Sequence, residues 1–344
     1  MRPRSTRRRS TLFTLAHCSD WHATDLASAG PCALANKRFF GWLSWTARRR
    51  HTHRPEVLEA MFADLHDQRP DHVAVTGDLT NVALDHEFER TAQWLKELGE
   101  PSWVSIVPGN HDAYVRVDPA RSWDLWAPYL LSDGDAAVLS DGDAAGDADA
   151  ASGEGSGTPP RAPGWADFPT LRRRGPVALV GLCSAVPSPP FCATGRLGAS
   201  QLERLDRLLG ELGEEGACRV VLIHHPPTDR HVSARRRLSD FAELGDVIRR
   251  RGAELVLHGH VHRRIVDAMP GPDGPVPVVS VASASDVGHE PHKRACYHLY
   301  DLEPARRDDG GPRWRIRARR RGFDPSTGGF SDEGEEWLSG QESG

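Results

Sequence analysis

Five short motifs rich in aspartate and histidine are the part of this sequence most able to carry out chemistry. Their potential ligand groups are carboxylates, imidazoles and one amide oxygen, without a thiolate. Such a mixture suits Mn²⁺, iron or Zn²⁺ better than a Ca²⁺ cage or a cysteine-based structural zinc site. The motifs are Asp20-Trp-His22, Gly77-Asp78, Gly109-Asn-His-Asp112, His224-His-Pro-Pro227 and Gly259-His-Val-His262.

Each motif lies at or just after the C-terminal end of a predicted β-strand. In an open α/β sheet, binding sites form at the carboxyl ends of the strands. We therefore expect the five motifs to meet there, although each motif alone would be an ordinary turn. The predicted strands are Thr11–His17, His72–Thr76, Trp103–Val107, Val177–Leu182, Arg219–Ile223, Glu254–Leu257, Val276–Val281, Arg294–Leu302 and Arg313–Arg319.

Amphipathic helical patterns alternate with most of these strands. Pro55–His66 has an apolar face, and its proline suits the first turn of a helix. Asp85–Leu98 and Ser239–Arg251 are each followed by a glycine that can end a helix, and leucines recur at helical spacing from Leu202 to Leu212. The alternation predicts a layered α/β domain. Arg313–Arg319 alternates apolar and arginine residues, a pattern typical of an edge strand.

The series of motifs resembles that of the calcineurin-like metallophosphoesterase superfamily, with a layout most similar to the bacterial cyclic-nucleotide and glycerophosphodiester phosphodiesterases. The resemblance extends from about Thr11 to His262. It implies an α/β fold, a four-layer α/β/β/α sandwich of two mixed β-sheets flanked by helices. It also implies two divalent metal ions (Mn, Fe or Zn). One metal would be held by Asp20, His22, Asp78 and His262, and the other by Asp78, Asn110, His224 and His260, with Asp78 bridging.

The same resemblance suggests a catalytic role for the third motif. His111 would lie beside the metals without binding them and contact the phosphoryl or leaving oxygen. It could donate a proton to the departing alkoxide, with Asp112 fixing its tautomer. Of the histidines next to the ligands, His225 is expected to line the pocket and His258 to be packed in the core.

The chemistry implied is hydrolysis of a phosphoester. Two cations ~3.5–4 Å apart neutralise the phosphate charge, lower the pKa of a bridging water and align the attacking and leaving oxygens. We therefore expect a phosphodiesterase that uses a metal-bridging hydroxide for in-line attack on phosphorus. A phosphomonoesterase or pyrophosphatase acting on a larger anionic or lipid-like substrate, a nuclease, and a non-catalytic scaffold remain alternatives. No aromatic and basic groove indicates nucleic acid, so a phosphorylated small molecule or lipid-like compound is the expected partner.

Charge and composition divide the chain of 344 residues into regions. Residues 1–54 carry eleven Lys and Arg against two Asp. We expect a basic tail over residues 1–10, the metallophosphoesterase domain over 11–323 and an acidic tail over 324–344. Within the domain, the low hydrophobicity and one-signed charge of residues 131–160 predict a disordered acidic insertion over residues 131–164.

An aromatic and basic insertion, residues 36–53, separates the first two motifs. One interpretation is a helix packed on the sheet through Phe39, Phe40, Leu43 and Ala47. The other is a cap that recognises a larger anionic or lipid-like phosphate, or contacts an anionic membrane surface. No stretch reaches the ~20 apolar residues of a membrane span, and the scattered cysteines fit reduced thiols, so a cytoplasmic location is expected. The sequence does not predict an oligomeric state.

Overall fold

Two β-sheets form the centre of the structure, a computed structural model that describes residues 12–134, 164–305 and 314–340. The expected basic tail over 1–10 and most of the expected disordered insertion, residues 135–163, lie outside these described residues. The strands are β1 (Phe13–Cys18), β2 (His72–Val75), β3 (Val104–Ile106), β4 (Thr170–Arg174), β5 (Val177–Gly181), β6 (Cys218–Leu222), β7 (Leu255–His258), β8 (Ile265–Gly271), β9 (Gly274–Ser280), β10 (Cys296–Pro304), β11 (Trp314–Asp324) and β12 (Gly329–Ser339).

Both sheets have six strands and are mixed. The first has the order β12-β11-β10-β1-β2-β3, in which β1, β2 and β3 are parallel and the other pairs antiparallel. The second has the order β4-β5-β6-β7-β9-β8, with a parallel centre from β5 to β9. The carboxyl ends of β1, β2, β3, β6 and β7 therefore supply loops from both sheets.

Helices cover the outer faces of the sheets. Pro55 begins the first long helix, at a position where a backbone N–H would have no partner within the helix. Gly252 ends the last helix with a positive φ of 76°, which glycine adopts readily. The α-helices are α1 (Arg38–Ser44), α2 (Arg50–Thr52), α3 (Pro55–Gln68), α4 (Asp85–Leu98), α5 (Ala127–Leu130), α6 (Ala199–Glu214) and α7 (Phe241–Arg251). Short 3₁₀ turns are Pro119–Arg121, Trp123–Trp126, Trp165–Asp167 and Pro291–Lys293, and Trp45–Arg49 is a π-helical turn between α1 and α2.

The core consists of three apolar layers, because alternate residues of a strand face opposite sides of a sheet. Leu15 of the first sheet packs between the sheets with Leu222 and Leu257 of the second. Ala16 belongs to the cluster under α3 and α4, whereas Val221 belongs to the cluster under α6 and α7. The α/β/β/α sandwich of two mixed sheets expected from the sequence is confirmed.

The expected acidic tail over 324–344 is wrong for most of its length, since Gly329–Ser339 forms the edge strand β12. This strand pairs antiparallel with β11, which is consequently an inner strand and not the edge that its pattern indicated. The carboxylates of β12 meet the arginines of β11: Arg321 lies 2.9 Å from Asp332, and Arg317 lies 3.5 Å from Glu335. Cross-strand charge pairing explains why so polar a segment becomes a strand.

Strands β4 and β8 were also not predicted. Both are antiparallel edge strands of the second sheet, and β8 is only half-buried. Edge strands need fewer apolar residues, so their sequence pattern is weak. In the described ranges, none of the helices combines the length and the hydropathy that crossing a bilayer requires.

Candidate metal centre

The candidate site is built on loops that follow five strands. Asp20 follows β1, Asp78 follows β2, Asn110 follows β3, His224 follows β6 and His260 follows β7. Parallel strands point their carboxyl ends in one direction, which brings the loops of the two packed sheets together. All five motifs expected to meet do so.

Several of these loop residues adopt a left-handed backbone. Asp20, His22, Asp78, His260 and His262 have φ between 45° and 70°, although none is glycine. This conformation costs about 1–2 kcal/mol per residue and, in native proteins, is concentrated at functional sites. The left-handed backbone therefore lowers local stability, but it directs these side chains toward one point.

Two glycines permit the close approach of the loops. Gly77 has a φ of 85°, and a Cβ there would lie 2.6 Å from the backbone nitrogen of Gly109. A Cβ on Gly109 would collide with the carboxylate of Asp78. Either side chain would push the β2 and β3 loops apart.

The first group of candidate ligands comprises Asp20, His22, Asp78 and His262, whose donor atoms lie within 4.8 Å of one another. Nε2 of His262 lies 3.2 Å, and Nε2 of His22 lies 3.9 Å, from Oδ1 of Asp20. Nε2 of His22 also lies 3.6 Å from Oδ2 of Asp78. This is the membership that the resemblance implies for one metal.

The second group comprises Asp78, His224 and His260, with Asn110 beside them. Oδ2 of Asp78 lies 3.2 Å from Nε2 of His224. Oδ1 of Asn110 lies 3.2 Å from the same nitrogen and 2.9 Å from Nδ1 of His260. Oδ2 of Asp78 therefore faces both groups, at 3.6 Å from Nε2 of His22 and 3.2 Å from Nε2 of His224.

The unused nitrogens of these histidines fit metal binding. Nδ1 of His22 donates to the carbonyl of Thr80 at 3.0 Å, and Nδ1 of His224 donates to the carbonyl of Thr76 at 2.7 Å. Such outer hydrogen bonds orient metal-binding histidines and leave the other nitrogen as a ligand. Nε2 of His22 is buried and has no hydrogen-bond partner, which is costly unless a cation binds there. The donor set and its geometry thus fit a pair of divalent metal ions.

The electrostatics of the cluster also favour positive charge. Burial by itself would raise the pKa of Asp78, but His224 and His111 outweigh it and hold that pKa well below its usual range. Burial lowers the pKa of His224, yet the Asp78 carboxylate raises it to about 9. Asp78 therefore remains ionised and attracts a cation to its own position.

His111 lies beside the candidate ligands, but Asp112 does not form the expected hydrogen bond with the ring of His111. The ring of His111 is 4.7 Å from that of His22, and its backbone N–H donates to Asp78 at 2.7 Å. Nδ1 of His111 donates to the carbonyl of Asn81, so Asn81 and not Asp112 fixes the tautomer. The expected pairing of Asp112 with His111 is therefore wrong.

Asp112 instead joins two loops of the site. Its carboxylate accepts from the backbone N–H of Leu79 at 3.0 Å, of Thr80 at 2.9 Å and of Gly109 at 2.9 Å. These bonds tie the loop after β2 to the loop after β3, which carry Asp78 and Asn110. Asp112 is thus a positioning residue.

His225 and His258 lie next to the candidate ligands. His225 is buried, shares a hydrogen bond of 2.8 Å with Ser184, and has its ring 4.6 Å from that of His260. It is not among the residues that line the open cavity of the site, so the expected pocket-lining position is wrong. His258 is buried at the end of β7, in agreement with the expected core position.

The insertion over residues 36–53 folds as a helix, but the expected packing face is wrong. Phe39, Phe40 and Leu43 are 47%, 43% and 50% exposed. The residue that anchors the helix is Trp45, which is buried against Leu26, Val82 and Leu84. Because α1 passes into a π turn, the register of its faces shifts after Ser44.

The π turn directs one arginine inward, a position that the run of three arginines did not reveal. Arg49 reaches His111, with Nη1 3.3 Å from Nε2. Arg48 is exposed and lies 3.7 Å from Glu290, and Arg50 donates to the neighbouring His51. The three arginines are adjacent and of one residue type, so only the helical register separates them.

A cavity of about 360 Å³ opens over the metal cluster. Its cationic lining consists of Arg48, Arg49, Arg236 and Lys293. Arg236, which donates to the carbonyl of His260 at 2.9 Å, was not recognised in the sequence because it belongs to an arginine-rich loop without a motif. A cationic wall opposite a metal cluster suits a phosphate group.

Several known proteins are similar to this chain in sequence or in fold. The family model of calcineurin-like phosphoesterases matches residues 13–264. A Synechococcus sp. protein described as a probable cyclic nucleotide phosphodiesterase is 26% identical over 212 residues, which are 60% of this chain and 64% of that protein. Less than two thirds of that relative's length is therefore matched.

Two solved structures have a similar fold. A dimetal phosphatase from Danio rerio has a TM-score of 0.56 at 12% identity, covering 95% of this chain and 98% of that one. A purple acid phosphatase from yellow lupin, Lupinus luteus, has a TM-score of 0.51 at 11% identity, covering 96% of this chain and 54% of that one. At these identities the likeness concerns the fold alone.

The family match extends over most of the chain and includes every motif at the strand ends. The chain therefore belongs to the calcineurin-like phosphoesterases, a family of metal-dependent phosphoester hydrolases. The family inferred from the five motifs is confirmed.

Proposed function

We propose that this protein hydrolyses phosphodiesters with the help of two divalent metal ions, which would be Mn, Fe or Zn. The observation that carries the proposal is the shared position of Asp78, whose Oδ2 lies 3.6 Å from Nε2 of His22 and 3.2 Å from Nε2 of His224. The Synechococcus relative, a probable cyclic nucleotide phosphodiesterase, supports a diester as substrate.

The proposed ligands are those of the two groups. When bound, the metals would neutralise phosphate charge and increase the acidity of an attacking water. Asp20, His22, Asp78 and His262 would hold one metal, and Asp78, Asn110, His224 and His260 the other.

His111 is the proposed proton donor to the leaving oxygen. Its Nδ1 is engaged by the carbonyl of Asn81, so Nε2 is the nitrogen left for a substrate in the cavity that His111 lines. Nε2 must carry a proton to serve as an acid, and the negative charge of a bound phosphate favours that form. Burial, assisted by Arg49, lowers the pKa of His111 to about 3 in the absence of such a charge.

The experiment is a screen of the Mn²⁺-loaded protein against nitrophenyl diesters and monoesters, cyclic nucleotides and glycerophosphodiesters, with bound metal measured in parallel. We expect about two metals per chain and faster turnover of diesters than of monoesters. Full metal occupancy without turnover of any ester would indicate a non-catalytic scaffold. Faster turnover of monoesters or pyrophosphates would replace the diesterase assignment.

A second candidate substrate class is an amphiphilic, lipid-like phosphoester. The observation that favours it is an exposed aromatic patch at the start of the insertion, where the rings of Phe40 and Phe191 lie 5.1 Å apart and Phe191 is 75% exposed. An apolar groove of about 790 Å³ adjoins it, lined in part by Phe39 and Trp42. Clusters of exposed apolar side chains usually mark binding surfaces.

Phe40→Ser together with Phe191→Ser separates the two candidates. On a lysophospholipid or other long-chain phosphoester, KM should rise at least tenfold in this double variant if the patch holds the apolar part. Hydrolysis of a nitrophenyl diester should be unchanged, because that compound has nothing to place there. If the double variant hydrolysed both substrates with wild-type KM and kcat, the lipid-like candidate would be ruled out.

A further inference from the structure

Arg49 is the one member of the arginine run that is turned toward the candidate metal centre. It stands at the end of the π turn Trp45–Arg49, whose buried anchor is Trp45. Its guanidinium lies within 3.3–3.4 Å of both ring nitrogens of His111. π turns are rare and recur at functional sites, since they re-aim side chains that a regular helix would direct elsewhere.

The contacts of Arg49 are not those expected of an arginine with a purely structural role. Among residues 12–134, 164–305 and 314–340, no carboxylate forms an ion pair with it, whereas its neighbour Arg48 has Glu290 at 3.7 Å. An imidazole is a weaker partner than a carboxylate for a guanidinium that is half-buried. A cation in this setting is stabilised much more by an oxyanion, which accepts charge-assisted hydrogen bonds.

An oxyanion bound by Arg49 would lie next to the candidate metal ligands. Arg49 and His111 line the same cavity as Asp78, Asn110 and His260. A phosphate bound at the metals would therefore lie between the cluster and the guanidinium. Arginine matches this task because its planar group offers two parallel N–H donors to a phosphoryl oxygen pair.

We propose that Arg49, delivered by the π turn of the insertion, binds non-bridging oxygens of the phosphoryl group that is hydrolysed. This inference rests on the proposed function and adds a substrate-binding residue to it. On binding, the guanidinium transfers its hydrogen bonds from His111 to the phosphate. The same movement releases Nε2 of His111 from the guanidinium.

The test measures the affinity of inorganic phosphate for the Mn²⁺-loaded protein by calorimetry, with metal content determined for each variant. Arg49→Met should weaken phosphate binding about 10- to 100-fold, the range for losing a hydrogen bond to a charged group. Arg49→Lys should recover part of the phosphate affinity, since lysine keeps the positive charge but lacks the two parallel N–H donors of the guanidinium. Arg50→Met is the matched control, because Arg50 is exposed and lies one residue away. The Arg50→Met protein should bind phosphate with the wild-type affinity.

Several results would overturn the proposal. Wild-type phosphate affinity in Arg49→Met would do so, even if turnover or its pH profile changed, because Arg49 would then act only on His111. Equal loss in Arg49→Met and Arg50→Met would indicate general charge attraction. Absence of phosphate binding to the metal-loaded wild type would also refute it. Failure of the wild type to hold metal or to hydrolyse any ester would instead refute the proposed function, and the phosphate measurement does not depend on turnover.

Discussion

Oδ2 of Asp78 lies 3.2 Å from Nε2 of His224, and this contact joins the two sheets at the candidate metal centre. Asp78 follows β2 of the first sheet and His224 follows β6 of the second. The same oxygen also faces His22, which follows β1. A single carboxylate therefore connects both ligand groups, and we expect the two metals to be gained and lost together.

Removal of metal should lower the stability of the protein without unfolding it. The candidate ligands lie on loops at the end of the sandwich, outside its three apolar layers. A ligand at 100 times its Kd stabilises a native state by about 2.7 kcal/mol, so Tm should rise with added Mn²⁺. Differential scanning fluorimetry and far-ultraviolet circular dichroism, with and without a chelator, measure the two effects. Loss of secondary structure on chelation would contradict this expectation.

The His111→Ala variant should keep its metal and lose turnover in a way that depends on the leaving group. A lost general acid costs ~10²–10⁴-fold when the leaving group needs a proton. Nitrophenolate needs none, so its ester should be affected much less. The check is kcat for alkyl and nitrophenyl diesters at equal metal occupancy. Equal losses for both esters would rule out proton donation by His111.

Trp45 and Phe39 should respond oppositely to truncation, although both belong to the insertion. Trp45 is 8% exposed and packs on an apolar cluster, so Trp45→Ala should cost ~3–5 kcal/mol of unfolding free energy. Phe39 is 47% exposed, and Phe39→Ala should change that energy by less than about 1 kcal/mol. Denaturant unfolding of both variants compares them directly. A large loss in Phe39→Ala would mean that the predicted packing face was right after all.

Arg321 should be essential for docking the C-terminal strands. Its guanidinium donates at 2.9 Å to Asp64 of α3 and at 2.9 Å to Asp332 of β12, and Asp64 also accepts from Tyr297. The Arg321 and Asp64 side chains are only 10% and 13% exposed. Arg321→Met leaves a nearly buried carboxylate unpaired, which should cost ~3–5 kcal/mol.

Arg173→Met is the control for that prediction. Arg173 pairs with Glu215 at 2.7 Å, but both side chains are about half exposed. Water screens such a pair, so the expected loss is at most about 1 kcal/mol. Thermal or denaturant unfolding measures both variants. Equal small losses would show that the C-terminal strands add little to the stability of the domain.

The sequence predicted which residues come together at the candidate site because ligand chemistry is local. Asp20, Asp78 and His224 each stand a few residues after an apolar strand, and that pattern is visible without a structure. The partners of those ligands were not visible. Asn81, which fixes the tautomer of His111, acts through its backbone carbonyl, which any residue possesses. Arg49 differs from its neighbours only by helical register.

The fold shows the same division between local and long-range signals. Buried strands such as β5 are continuous apolar runs and were predicted to within a residue or two. Strand β12 is rich in acidic residues, and its place depends on the arginines of β11, which precede it in the chain. Composition suggested a tail because the stabilising partner lies on another element. Charge complementarity between neighbouring segments could have indicated the pairing.

The most direct test of the account is to count metals and measure turnover in the wild type and in Asp78→Ala. The wild type should hold about two metals per chain in Mn²⁺ and hydrolyse a nitrophenyl diester. Asp78→Ala should lose both metals together and at least three orders of magnitude in turnover while retaining the wild-type circular dichroism spectrum. A variant that kept one tightly bound metal, or more than roughly a tenth of the wild-type turnover, would contradict a mechanism in which Asp78 bridges two metals.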